Sequence, residues 1–493
     1  MAKTPDFYAI LGVARNVSQE EIKRAYLEAA QRLHPDKNKA AGETEIFLDV
    51  QQAYETLSNP ERRKKYDASL PKEEQPSLPY NYEIYYSRPN LVRMDESQML
   101  YILLEIAPQE KSEEIPAPPL NVALVLDRST SMKDGKMDVL KSAAIKVMQT
   151  LRAQDIFSVV TFSDRAEVLI PASYAYDKRK LESRIQMLQP SGATEIFQGL
   201  QAGYEEILRN AGRERIDHII LLTDGHTYGD EKQCINLAER AAKQGIGISA
   251  MGIGKEWNDT FLDSLANRTG GSSRYIARKE DIQRFLVEKF ETLARTLADD
   301  VVLDFKTTPG AEMAYAFRTQ PETGPLPIED SIHLGPLLQD SNLNVLFEFR
   351  VDASLTQQDI IYLMRGQLKL SLAASPMPIQ PLQIDFSREV RDEAGGEPPP
   401  AMIIQSLGKL TLYRMQEKAH MEVEQGQFEL AAQHMKNLAT SLLAQGERSL
   451  ARTAIIEAEN IEKMQSFSEE GSKEIKYGTR ALIMPLEEKE EPV

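Results

Sequence analysis

Asp127, Ser129, Ser131, Thr194 and Asp224 are the side chains whose types and spacing could do chemistry together. The segment Asp127-Arg-Ser-Thr-Ser131 closes one apolar run, and Thr223-Asp-Gly225 closes another. Thr194 lies between them, in Pro190-Ser-Gly-Ala-Thr-Glu195, a loop that opens a helix. Hydroxyl and carboxylate oxygens with few formal charges suit a hard, partly hydrated cation, magnesium or manganese. Neither histidine nor cysteine stands in these segments as a ligand for a softer metal, although His226 follows the last of them and reads as surface decoration. A single Asp or Ser at a strand end is ordinarily a cap or a turn. A second group is His34-Pro35-Asp36, where proline ends a helix and leaves an imidazole and a carboxylate at the tip of a turn.

The elements that must position these groups follow from periodicity. Asn121-Val-Ala-Leu-Val-Leu126 is a continuous apolar run, as a central parallel strand buried on both faces requires, and Ile216–Leu222 is read as a second such strand. Between 120 and 300, such runs alternate with amphipathic stretches, one of which carries Met137, Leu140, Ala144, Val147 and Leu151 inward. In an open α/β sheet the loops after the strands gather on one edge, so the three polar loops converge there. Upstream, Ile22, Ala25, Tyr26, Ala29, Ala30 and Leu33 form one helical stripe, preceded by a capping box of Ser18 and Glu21. Ile46, Val50, Ala53, Tyr54 and Leu57 form a second, and the two predict an antiparallel hairpin with His34-Pro35-Asp36 in its loop.

Composition shifts divide the chain. Residues 1–70 are helical, 71–79 are a Pro-rich charged linker, and 80–118 and 300–390 are strand-like. They flank an α/β unit at 119–299, and since isolated strands need partners, the two flanks are expected to form one β-sandwich with the α/β unit inserted. A second linker at 391–400 leads to helices over 401–465, separated by Gly426 and Gly446. One helix carries an apolar face of Phe428, Ala431, Ala432, Met435, Leu438, Ala439 and Leu442, expected to pack on itself or to dimerise. The polar segment 466–493 is expected to be a frayed tail.

The net charge of −17 argues against general affinity for nucleic acid or anionic membrane. A single cysteine, Cys234, excludes an intrachain disulfide and suits a reducing cytoplasm. The apolar runs are too short to span a bilayer, and the first residues lack a signal-peptide core.

Residues 5–67 resemble a J-domain throughout. The matching pieces are Asp6-Phe-Tyr-Ala-Ile-Leu-Gly-Val13, Glu21-Ile-Lys-Arg-Ala-Tyr26, His34-Pro-Asp-Lys-Asn38 and the run from Gln52 to Asp67. That resemblance implies that His34, Pro35 and Asp36 stimulate ATP hydrolysis on a DnaK-type chaperone. It also implies that Lys23 and Arg24 contact the chaperone's acidic surface, with Phe7, Tyr8, Phe47, Tyr54 and Leu57 structural. Leu27 and Glu28 interrupt the basic face, and 1–70 carries eleven Lys and Arg against eleven Asp and Glu. An encounter that is largely electrostatic in this family is therefore expected to be weak or partner-selective.

Residues 119–297 resemble a von Willebrand A domain, and the five oxygen-bearing residues resemble its metal-ion-dependent adhesion site. The resemblance implies that Ser129, Ser131 and Thr194 ligate the metal directly and that Asp127 and Asp224 act mostly through water. A partner's acidic side chain would fill the remaining position. Gly252-Ile-Gly254 with Trp257-Asn-Asp259 is similar to a subgroup of bacterial A-domain proteins, and Trp257 is read as packing.

The chain lacks a P-loop, a nucleophile elbow, a zinc-protease motif and a paired Cys-His. The expected function is a non-enzymatic co-chaperone adaptor that binds an acidic protein client. One alternative is a scaffold subunit that only recruits a chaperone, and another is a metal-dependent hydrolase.

Overall fold

The computed structural model describes 80–482 apart from 109–116, 175–177, 213, 228 and 371–380, and before these Phe7, Tyr26, 50–59, Arg62, Arg63 and Tyr66. Lys23, Arg24, His34, Pro35 and Asp36 lie outside the described residues, as do Tyr8 and Phe47. The chain divides into two compact units, Met1–Leu78 and Pro79–Val493.

In the first unit, residues 50–57 are helical and bury Val50, Ala53 and Leu57, the one-face spacing read from the sequence. Tyr26 stacks on Tyr54 with ring centroids 4.1 Å apart, so the two predicted stripes touch. Phe7 stacks on Tyr66 at 4.5 Å, and its backbone N–H donates to the Tyr66 hydroxyl at 2.8 Å.

The second unit opens with β1 (Tyr80–Tyr86), β2 (Leu91–Val92) and β3 (Gln98–Pro108). An α/β unit follows, with β4 (Leu120–Asp127), α1 (Lys136–Thr150), β5 (Ile156–Phe162), β6 (Ala166–Ser173), α2 (Lys178–Gln186) and α3 (Ile196–Leu208). It continues through β7 (Ile216–Thr223), α4 (Glu231–Ala242), β8 (Gly247–Ile253), α5 (Asp259–Asn267), β9 (Ser273–Ile276) and α6 (Ile282–Ala294). These strands form a six-stranded sheet in the order β6-β5-β4-β7-β8-β9, parallel except for the β5–β6 pair.

Every residue of β4 is buried, and its alternation divides the core. Leu120, Val122, Leu124 and Leu126 pack with Leu140 of α1 and Phe290 of α6 on one face. Ala123 and Val125 pack with Leu200 of α3, Leu237 of α4 and Leu265 of α5 on the other. Two glycines let α3 approach closely: a Cβ at Gly199 would lie 2.5 Å from the Phe162 ring, and one at Gly203 would lie 2.6 Å from Val125. Leu151, expected inside, lies just past the end of α1 and is only half-buried.

Beyond α6 come β10 (Thr296–Thr307), β11 (Ala311–Gln320), β12 (Gly324–Pro325), β13 (Ser331–Leu338), β14 (Leu343–Val351), β15 (Ile360–Leu370) and β16 (Leu382–Arg391). One sheet has the order β1-β3-β14-β11-β12 and another the order β13-β10-β15-β16-β2. Strands from before and after the α/β unit therefore share a sheet, with Ile106 opposite Leu343 and Gln98 opposite Val351. Phe386 of the second sheet meets Phe347 and Phe349 of the first, with ring centroids 5.5 and 6.1 Å away. β10 starts at Thr296, ahead of the expected change at 300, because α6 runs almost directly into it. Arg391, expected to start a linker, still pairs with Val92.

Four helices end the described chain: α7 (Ala401–Glu424), α8 (Phe428–Ala444), α9 (Arg448–Met464) and α10 (Glu469–Ala481). Gly426 and Gly446 adopt φ of 76° and 86°, the left-handed turn that ends α7 and α8. The apolar face of α8 is covered by α7, α9 and α10, with Ala431, Met435, Leu438 and Leu442 buried beside Leu412, Ala454, Ile461 and Ile475.

The expectation of a frayed tail over 466–493 is corrected over 469–481, which form α10. Ser468 caps the helix by accepting from the Gly471 N–H at 3.0 Å. The segment looked polar because its buried face is polar, and that face finds its partners on α5. Arg480 grips Asp263 with two guanidinium nitrogens at 2.9 and 2.6 Å. Tyr477 donates to the same carboxylate at 2.9 Å and Lys476 approaches it at 2.8 Å. Burial would raise the Asp263 carboxyl, but the charges of Arg480 and Lys476 outweigh it and hold the group well below the usual carboxylate range.

Candidate metal centre

The loop after β4 carries Asp127, Ser129 and Ser131, the loop before α3 carries Thr194, and the loop after β7 carries Asp224. The sequence predicted three converging loops, and all five residues are brought to one edge of the six-stranded sheet. Asp127 and Asp224 have no exposed surface, Ser129 and Thr194 are buried, and Ser131 is half-buried.

The side chains form a connected network. The Ser129 N–H donates to Asp127 Oδ1 at 2.8 Å, and Thr223 Oγ1 donates to Asp127 Oδ2 at 2.6 Å. The hydroxyls of Ser129 and Ser131 lie 2.7 Å apart, and Ser131 donates to Asp224 Oδ1 at 2.5 Å. A Cβ at Gly225 would come within 3.2 Å of Thr194 Oγ1 and 3.8 Å of Ser131 Oγ. Glycine at 225 therefore keeps the space between these two hydroxyls open.

The Thr194 loop is pinned from several sides. Ser191 N donates to the Arg128 carbonyl at 2.7 Å, Thr130 N to the Gly192 carbonyl at 3.1 Å, and Ala193 N to Asp164 Oδ1 at 2.6 Å. Gly192 takes φ of +81°, which suits glycine where the loop turns over Ser163 and Asp164. Arg128 donates to Ser191 Oγ at 2.7 Å, so it braces the two loops together. His226 is exposed, as expected of surface decoration. Trp257 is 1% exposed, donates to the Gly254 carbonyl at 2.7 Å and sits against Tyr275 and Tyr477, in agreement with a packing role.

Two residues of the centre escaped sequence reasoning. Thr223 is fully buried and holds Asp127, and it was legible as the residue before Asp224. Lys136 places its ammonium 2.6 Å from Asp224 Oδ2, and nothing in its spacing announced that contact.

The donor set fits a hard cation. It is all oxygen, and burial pushes the Asp127 carboxyl up to about 6 against the pull of Thr223 and Ser129, with the nearby Asp224 adding to the rise. A carboxylate so disfavoured by its surroundings gains most from a cation beside it. Among the described residues no cluster of three or more His, Cys, Asp or Glu offers another metal site.

Residues 121–292 match the von Willebrand factor type A domain, 6–67 the DnaJ domain, and 401–485 the Sll0103-like, C-terminal alpha-helical domain. The solved structure of a von Willebrand factor type A protein from Catenulispora acidiphila superposes with a TM-score of 0.63 at 16% identity, over 81% of this chain and 96% of that one, which shows the fold. The uncharacterized protein sll0103 of Synechocystis is 25% identical over 386 residues, 74% of this chain and 89% of that protein. Chaperone protein DnaJ 2 of Thermus thermophilus is 54% identical over 67 residues, 14% of this chain and 24% of that protein.

Sheet order and loop edge thus define an A domain. The chain carries a DnaJ-type domain, a von Willebrand A domain and, after them, a helical domain of the sll0103 type. DnaJ and A domains are adaptor modules, and a J-domain implies an Hsp70-class partner in general. Among the described residues no helix is long and apolar enough to cross a membrane.

Proposed function

We propose that this protein is a co-chaperone adaptor that stimulates a DnaK-type ATPase through its J-domain and holds a protein client through a divalent ion on its A domain. The observation that carries the reading is the convergence of Asp127, Ser129, Ser131, Thr194 and Asp224 at one sheet edge, in a chain whose first domain is of DnaJ type. Ser129, Ser131 and Thr194 would hold magnesium or manganese directly, and Asp127 and Asp224 through water. The ion would supply an electrophilic centre for a carboxylate of the client. His34, Pro35 and Asp36 would trigger hydrolysis, and Lys23 and Arg24 would steer the encounter with the chaperone.

The pairing of β3 with β14 supports treating 80–118 and 300–390 as one β-sandwich that hosts 119–299 as an insertion. Such a scaffold fixes both ends of the A domain and leaves its loop edge to the client. The buried, lone Cys234 and the net charge of −17 support a cytoplasmic setting without nucleic acid or membrane as partner.

Two substitutions test the two halves separately. His34→Gln should abolish stimulation of steady-state DnaK ATPase without unfolding the domain, and stimulation at the original level would sink the chaperone half. Asp224→Ala should weaken magnesium binding in calorimetric titration, and client capture from lysate should fall in parallel. Capture that persists unchanged in chelator would place the client elsewhere.

A further inference from the structure

We infer that the Lys136 ammonium competes with the divalent ion for the Asp224 carboxylate, so that the centre carries its own removable counter-charge. This rests on the metal-binding reading above and concerns what governs occupancy of that site.

Lys136 is the first residue of α1, the end of a helix where the backbone N–H groups leave a partial positive charge. A cation gains nothing from the helix at that position, so helix stability does not explain the residue. The preceding loop gives it a fixed course. Asp134 and Gly135 both take left-handed conformations, with φ of 59° and 84°. Lys279 donates to the Asp134 carbonyl at 2.9 Å, and a Cβ at Gly135 would come 3.0 Å from that ammonium. The loop so held turns Lys136 back over the strand ends. There its Nζ lies 2.6 Å from Asp224 Oδ2 and 3.4 Å from the Ser131 carbonyl, with the side chain 29% exposed and Asp224 wholly buried.

The two carboxylates of the centre are therefore unequal. Asp127 is met by hydroxyl and amide donors, whereas Asp224 accepts from Ser131 on one oxygen and from the ammonium on the other. A divalent ion drawing on Asp224 must either displace the ammonium or bind beside a like charge, and both weaken its hold. With Lys136 in place the loaded centre carries a net positive charge, which an incoming carboxylate would neutralise. With a neutral side chain at 136, the two carboxylates alone would balance the ion. The lysine thus disfavours the ion by itself and favours the ion together with an anionic partner.

The test is calorimetric titration of manganese into the full chain, its Lys136→Met and Lys136→Arg variants, and Asp224→Ala. Lys136→Met should bind manganese about tenfold or more tightly than the original, the direction expected when a like charge is removed next to the ion. Lys136→Arg should stay near the original value. A second readout needs no variant: acetylation of Lys136 by an amine-reactive ester, followed by mass spectrometry, should be faster in saturating manganese than without it. Unchanged or weaker binding by Lys136→Met, with the original chain still binding, overturns the inference and leaves the metal reading standing. No binding by either chain overturns both. Should Lys136→Met fail to fold, an acetylation rate unaffected by manganese overturns the inference.

Discussion

Asp127 and Asp263 are both buried carboxylates of the A domain, and their surroundings could hardly differ more. Asp263 is enclosed by the guanidinium of Arg480, the ammonium of Lys476 and the hydroxyl of Tyr477, and it titrates well below an ordinary carboxylate. Asp127 is met by a threonine hydroxyl and a backbone N–H, and it titrates upward, at about 6. The first has its counter-charges built into the chain, from a helix more than two hundred residues downstream. The second lacks an equivalent cation, and an outside one is the natural complement. Burial of an acid thus marks a clamp in one place and a receiving site in the other, and the neighbours tell them apart.

Breaking the clamp should have the largest effect. Arg480→Ala leaves Asp263 without its principal partner and should cost about 3–5 kcal/mol in denaturant unfolding, the usual cost of orphaning one member of a buried ion pair. A loss near zero would mean that α10 contributes nothing to the stability of the A domain. A smaller change is expected at the receiving site: magnesium at about a hundred times its dissociation constant should stabilise the original chain by about 2.7 kcal/mol and leave Asp224→Ala almost unaffected.

The pH dependence sharpens the contrast by the least amount. Since Asp263 titrates lower folded than unfolded, its contribution is complete above the ordinary carboxylate range, at about pH 4, and is lost as pH falls through the folded value. The stability gap between the original chain and Asp263→Asn should therefore be constant near neutrality and close on acidification. A gap that widened toward low pH would contradict the clamp.

Much of this was legible in the sequence. The buried strands β4 and β7 announce themselves through the apolar runs Val122–Leu126 and Ile219–Leu222, the polar residues that follow them give four of the ligand candidates, and the loop that opens α3 gives Thr194. The helices after residue 400 are marked by their glycines. The range 300–390 was legible as strand-like, but β11 and β13 did not stand out within it, because Ala311–Gln320 and Ser331–Leu338 mix buried and polar positions without clean alternation. α10 was misread for a physical reason: its buried face is Lys473, Tyr477, Thr479 and Arg480 as well as Ile475. Hydropathy counts such residues as solvent-facing unless the opposing charges, here Asp259 and Asp263, are already known to lie across from them. Lys136 escaped for the same reason, since its partner is distant in sequence.

The pairing of β3 with β14 also sets an order of assembly. β3 is synthesised before the entire α/β unit, while the strand that covers its second edge is made after it. β1 can zip onto the first edge at once, as a neighbour in the chain. The other edge must wait until β14 has emerged. Contacts this remote in sequence form late and slowly, because the intervening loop has to be closed before they are rewarded. A strand left open for that interval is the kind of surface on which nascent chains go astray. In this protein the exposed edge belongs to a chain whose first domain is of DnaJ type.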